Sequence, residues 1–152
     1  MTDTTKITPS QPRAVILVML GGALGTAARA GLTLTIPSLE SVPLATALVN
    51  ILGAFILGYL IERLTRHQRG SARARHTQLL LGTGFCGGFT TYSTLATDTI
   101  TLVLTHRVGL AVAYAFGTLA LGASATLGGI LVASRRNKLA PTTNASPSDG
   151  TE

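Results

Sequence analysis

The sequence predicts an all-α integral membrane protein of four transmembrane helices, the third of them broken in mid-membrane. Three observations carry this. Mean hydropathy is +0.44 with only 12% charged residues, too apolar for a water-soluble domain of this size. Four apolar runs, over 14–36, 42–61, 77–104 and 108–134, each reach the roughly 20 residues that a bilayer crossing takes. The third run contains an uncharged stretch from Gly82 to Leu95 with four glycines and five Ser/Thr residues. Glycine weakens a helix and hydroxyl side chains compete for its backbone hydrogen bonds. Irregular backbone at membrane depth survives where it is buried in protein or lines a watery cavity. The stretch therefore reads as a broken helix built to hold an ion.

Taken in order, residues 1–13 are polar with two prolines and are expected to be disordered. The run 14–36 is apolar except for Arg29 near its far end. No cleavable signal is evident, and three further spans follow, so it is read as a retained helix. The run 42–61 is uncharged, with Asn50 near its middle. Residues 62–76 form a polar, arginine-rich loop. The run 77–104 carries the glycine stretch and Asp98. The run 108–134 is uncharged and long enough to cross with some tilt. Residues 135–152 are polar, with prolines, and are expected to be disordered. Small residues recur four apart at Gly21/Gly25, Ala54/Gly58, Gly84/Gly88, Thr118/Gly122 and Ser124/Gly128, a spacing that lets helix backbones approach closely in lipid.

In a four-helix chain the amino tail, the 62–76 loop and the carboxyl tail share one side. That side holds ten of the 12 Lys and Arg residues; Arg29 and Arg107 lie on the other. Both termini are therefore expected in the cytoplasm of a plasma-membrane (in a two-membrane cell, inner-membrane) protein. The net charge of +6 is explained by these topology determinants and by lipid headgroups, not by nucleic acid. His67, His76 and His106 have no metal-ligand spacing. No Ser/His/Asp set, paired carboxylate or phosphate loop is present, so enzyme activity is not expected. The single Cys86 cannot form an internal disulfide.

Several residues suit an anion path, each beside a structural reading. Asn50 is either interhelical glue or an amide donor to an anion. Tyr92, Ser93 and Thr94 offer a ring edge and hydroxyl donors in place of water, or are a packed aromatic with satisfied hydroxyls. Tyr114 and Thr118, four apart, share a helix face. Arg29 either snorkels to the interface or serves a site, and Asp98 within a span calls for a partner or a function. Unwound backbone around Gly87 and Thr90 would expose carbonyls suited to a hard cation.

Gly84-Phe85-Cys86-Gly87-Gly88-Phe89-Thr90-Thr91-Tyr92-Ser93-Thr94 resembles the signature of the CrcB/Fluc fluoride-channel family. The segments from Gly21 to Arg29 and from Leu48 to Gly53 agree with it in order and spacing, and the resemblance spans roughly residues 14–134. It implies a fluoride-specific channel that exports fluoride passively, built as an antiparallel dimer with two pores. It implies that Asn50, Tyr92, Ser93, Thr94, Leu95, Tyr114 and Thr118 line the fluoride pathway. Arg29 would sit at its vestibule, and Asp98 would replace the family's usual Glu. The main-chain carbonyls of Gly87 and Thr90 would hold a structural sodium ion. The sequence departs from the family where phenylalanines are usual: Tyr92 keeps a ring, Leu95 has none, and Gly122 lacks the hydroxyl many members keep.

Two other readings stand beside this. A small proton-coupled exporter would need a carboxylate in the first span, which has none. A non-conducting or partner-dependent subunit fits Leu95. The charge bias also favours one membrane orientation, which suggests pairing with an oppositely oriented paralogue instead of an inverted copy of the same chain.

Overall fold

The computed structural model describes residues 11–37, 42–67 and 71–137. In chain order these form α1 (Gln11–Thr35), α2 (Leu44–His67), α3 (Ala72–Thr77), a π-helical stretch (Gln78–Cys86), α4 (Gly87–Phe89), α5 (Tyr92–Leu104) and α6 (Val108–Asn137). Among the described residues α1, α2 and α6 are long and apolar enough to cross a membrane. The run read as the third crossing is made of shorter pieces. From Ala72 to Phe89 the chain winds on without a break, since Gln78 and Gly87 both keep right-handed helical dihedrals. After two extended residues, α5 adds 13 more, about 20 Å of helix and short of a crossing alone.

One expectation is corrected. The polar segment 62–76 is mostly helical: α2 runs on to His67, and α3 begins at Ala72. Alanine and arginine are strong helix formers, and Ser71 Oγ caps α3 by accepting the Ala74 N–H at 3.1 Å. The tails expected over 1–13 and 135–152 fall mostly outside the described residues; at 11–13 and 135–137 they continue α1 and α6.

The glycines explain the packing. Gly21 and Gly25 of α1 meet the backbone of the third helical run. A Cβ on Gly21 would land on the Leu80 carbonyl oxygen, one on Gly25 on that of Phe85, and one on Gly88 on that of Gly22. Gly21/Gly25 and Gly84/Gly88 thus face each other across one backbone-to-backbone seam. The α2–α6 pair is the most extensive contact in the fold. There Gly58 lies on the Thr126 carbonyl and Gly129 on that of Phe55. Gly122 and Gly128 are in looser contact, with Ala54 and the Phe55 ring. At the arginine-rich end, Glu62 accepts from Ser134 Oγ at 2.7 Å, tying α2 to α6, and from Arg66 one turn along the same helix.

α5 packs on α6 through Leu95, Leu102, Ala111 and Tyr114. It turns into α6 at His106, whose φ of 62° closes the helix with its N–H on the Val103 carbonyl and that of Arg107 on Leu102. Down α5 the hydroxyls of Thr97, Thr99, Thr101 and Thr105 donate to carbonyls four residues back, at 2.7–3.0 Å. Large apolar side chains of α1 and α6 remain exposed, including Met19, Leu24, Phe116 and Leu127. Such contiguous apolar surface fits lipid or another subunit.

Because α1 is held mainly at the glycine seam, Gly88→Val is expected to cost about 3 kcal/mol or more, at the upper end of overpacking. Loss of the monodisperse peak after detergent extraction, with Gly87→Ala as a control in open space, checks it.

Candidate functional site

The break in the third helical run is two residues long. Thr90 (φ −77°, ψ 157°) and Thr91 (φ −149°, ψ 116°) are extended, while Gly84, Gly87 and Gly88 remain within helical segments. The break was expected within the stretch from Gly82 to Leu95, with unwound backbone around Gly87 and Thr90. It lies in that stretch, at Thr90 and Thr91, while Gly84 and Gly88 are used for close approach to α1 and the unwinding is imposed from α2.

Asn50 imposes it. Its Nδ2 donates to the Thr91 carbonyl at 3.0 Å, and its Oδ1 accepts the Thr91 N–H at 2.7 Å. One side-chain amide thus satisfies both backbone groups of a residue that helix geometry has abandoned. Thr91 Oγ1 then accepts the Thr94 N–H at 3.2 Å as the cap of α5. It also lies 2.9 Å from Thr94 Oγ1 and 3.3 Å from Ser93 Oγ.

These bonds divert two donors. In a continuous helix the Thr91 N–H would serve the Gly87 carbonyl and the Thr94 N–H that of Thr90. Here they go to Asn50 and to the Thr91 hydroxyl. The Gly87 and Thr90 oxygens lose their helical donors, and a Cβ on Gly87 would meet only open space. Oxygen atoms of this kind suit a hard monovalent cation.

Two cavities flank the break. The larger, about 480 Å³, lies between α2, the third run and α6; Asn50, Gly87, Thr90, Tyr92, Leu95 and Thr118 are on its wall. The smaller, about 430 Å³, lies against α1 and α2, with Thr26, Arg29, Thr33, Thr46 and Thr94 around it. The sequence-predicted residues are therefore only partly brought together. Tyr92 is 80% exposed beside the larger cavity, and Ser93 and Thr94 are exposed. Leu95 is buried in the α5–α6 core with one side on the larger cavity. Thr118 is buried, its hydroxyl donating to the Tyr114 carbonyl at 2.7 Å.

Tyr114 lies in the wall of neither cavity. It is buried, with its hydroxyl 3.2 Å from both Asp98 Oδ2 and the Pro43 carbonyl. Asp98 thus finds its partner in Tyr114, while Arg29 faces the smaller cavity. Thr91 was not singled out by sequence reasoning. Its signal was present: a threonine directly before the first residue of a helix is a common cap, its hydroxyl accepting the N–H three residues on.

A family model described as CrcB-like protein, Camphor Resistance (CrcB), matches residues 16–130. The chain belongs to the CrcB family. It is similar to a protein named fluoride-specific ion channel FluC 2 from Leifsonia xyli subsp. xyli, with 46% identity over 118 residues, 78% of this chain and 81% of the relative. It is 42% identical over 111 residues to one named FluC 2 from Rhodococcus jostii, covering 73% and 90%. It is 39% identical over 121 residues to one named FluC from Methanopyrus kandleri, covering 80% and 89%. This CrcB chain is accordingly a multi-pass membrane protein and not an enzyme.

Asn50→Ala leaves both Thr91 backbone groups without a partner. A loss of about 2–6 kcal/mol is expected, since each unsatisfied buried group costs about 1–3 kcal/mol. The drop in apparent melting temperature in detergent reads it. Asn50→Asp, which keeps the acceptor and loses the donor, is expected to fall between Ala and wild type.

Proposed function

We propose that this CrcB chain forms a fluoride-specific channel that lets cytoplasmic fluoride leave passively across the plasma membrane. The observation that carries the proposal is the pinned break, with an open cavity on each side, hydroxyls on both walls and the Asn50 amide on the larger one. The names of its relatives point the same way.

A small anion sheds water only where fixed donors replace it. Asn50 spends one N–H on Thr91 and keeps the second for a bound anion. Ser93 and Thr94 supply hydroxyls and Tyr92 a ring edge, while Thr118, its proton held by the Tyr114 carbonyl, shapes the wall of the larger cavity. Arg29 raises anion concentration at the smaller cavity. Leu95 contributes shape and no donor. Tyr114 acts through Asp98, holding α5 against α6 and not lining the path.

The channel is an antiparallel dimer with its two pores at the subunit interface. Tyr92 and the apolar α1 and α6 faces would be covered by the partner or by lipid. The diverted Gly87 and Thr90 carbonyls would hold sodium, which when bound supplies a fixed positive charge to oxygens that otherwise repel one another. The termini face the cytoplasm.

The arginine bias supports a second reading, in which this chain conducts only beside an oppositely oriented paralogue. Liposomes holding the purified chain alone, with chloride as the control anion, test both. Fluoride-selective efflux is expected. Efflux only after co-expression with a paralogue would favour the second reading, and no fluoride efflux in either case would refute the channel.

Sodium has its own readout. Replacing sodium with N-methylglucamine throughout purification is expected to lower the apparent melting temperature by several degrees, reversed on adding sodium back. An unchanged melting temperature would remove the ion from the proposal.

A further inference from the structure

The two cavities beside the break have one residue in common. Thr91 lies in the wall of both, and no other residue is shared. It is 7% exposed, so its side chain is a septum and not a surface group. Its backbone is pinned at both polar groups by Asn50, which leaves the side chain little freedom.

The hydroxyl of Thr91 is a junction. One lone pair accepts the Thr94 N–H. Its single proton has two hydroxyl oxygens within reach, Thr94 Oγ1 at 2.9 Å and Ser93 Oγ at 3.3 Å. When Thr91 donates to Thr94, the nearer of the two, the Thr94 proton is released from that contact. Thr94 lies on the Arg29 cavity, so its hydroxyl then presents a donor where an anion would arrive. The hydroxyl of one septum residue thereby sets the donor direction of the next.

We propose that Thr91 is the positioning residue through which an anion passes between the two cavities, its hydroxyl orienting that of Thr94 as a donor toward the Arg29 side. The inference rests on the channel reading and adds to it a residue that acts through another. It predicts coupling between two hydroxyls and not simply a contribution from each. Valine is nearly isosteric with threonine, so Thr91→Val keeps the septum and removes the junction. Thr91→Ser keeps the junction and removes a methyl.

Fluoride efflux is measured for wild type, Thr91→Val, Thr91→Ser, Thr94→Val and the Thr91→Val/Thr94→Val double variant, in liposomes under the condition in which wild type conducts. Flux is scaled to folded protein by size exclusion. Thr91→Val and Thr94→Val are each expected to lose about tenfold, the cost of one oriented hydrogen bond. Thr91→Ser is expected within about threefold of wild type. The double variant is expected to lose no more than the weaker single, because both remove the same oriented donor.

Wild-type flux in Thr91→Val, or losses that multiply in the double variant, would overturn the inference and leave the channel reading standing. If Thr91→Val does not reconstitute as folded protein, Thr94→Val decides: wild-type flux there overturns the inference, since the donor that Thr91 orients would be dispensable. A wild-type chain that passes no fluoride, alone or with a paralogue, overturns the channel reading and this inference together.

Discussion

The fold turns on one side chain meeting one peptide. Within a bilayer an N–H or C=O without a partner costs several kcal/mol, so a chain there is helical unless something else takes over its backbone bonds. Asn50 does so for Thr91. An amide is the smallest side chain that offers a donor and an acceptor side by side, as a peptide does. The bonds link residues 41 apart in sequence and fix α2 against the break. Everything at the site follows from that: the direction in which α5 leaves, the cap on its first turn, and the two carbonyls left without helical donors.

The second constraint is how closely α1 approaches the third run. Lipid tails give apolar helices little reason to associate, so attraction must come from close van der Waals contact. Gly21, Gly25 and Gly88 allow backbone to lie on backbone. This seam lies on one side of the break and the α2–α6 seam on the other. The two cavities occupy the places where neither seam closes. The site is thus a by-product of packing that is tight elsewhere.

What the sequence revealed and what it hid follow from the same physics. The apolar runs were legible because hydropathy is a local property, and α1, α2 and α6 appear where they were expected. The end of an apolar run is not the end of a helix, however, and α2 continues through charged residues to His67. The break lies inside the stretch from Gly82 to Leu95, but at its threonines and not at its glycines. Glycine serves both unwinding and close approach, and only the position of α1 shows that Gly84 and Gly88 serve the second. The unwinding at Thr90 and Thr91 is set by Asn50, a contact that no local window contains. Helical spacing placed Tyr114 on one face with Thr118, which is correct. It did not say that the ring would turn to Asp98 and leave the cavity wall to Thr118.

The threonines of α5 have a further effect on how this chain meets a bilayer. With each hydroxyl bonded to the carbonyl one turn earlier, what Thr97, Thr99, Thr101 and Thr105 leave for their neighbours is a γ-methyl group. Four residues that count as polar in the sequence therefore add to the aliphatic coat of an already apolar segment once it is helical. That part of its oiliness is a property of the folded state and is missing from the extended chain. Such a helix gains its affinity for lipid as it coils, so winding and insertion of this half-span become one event.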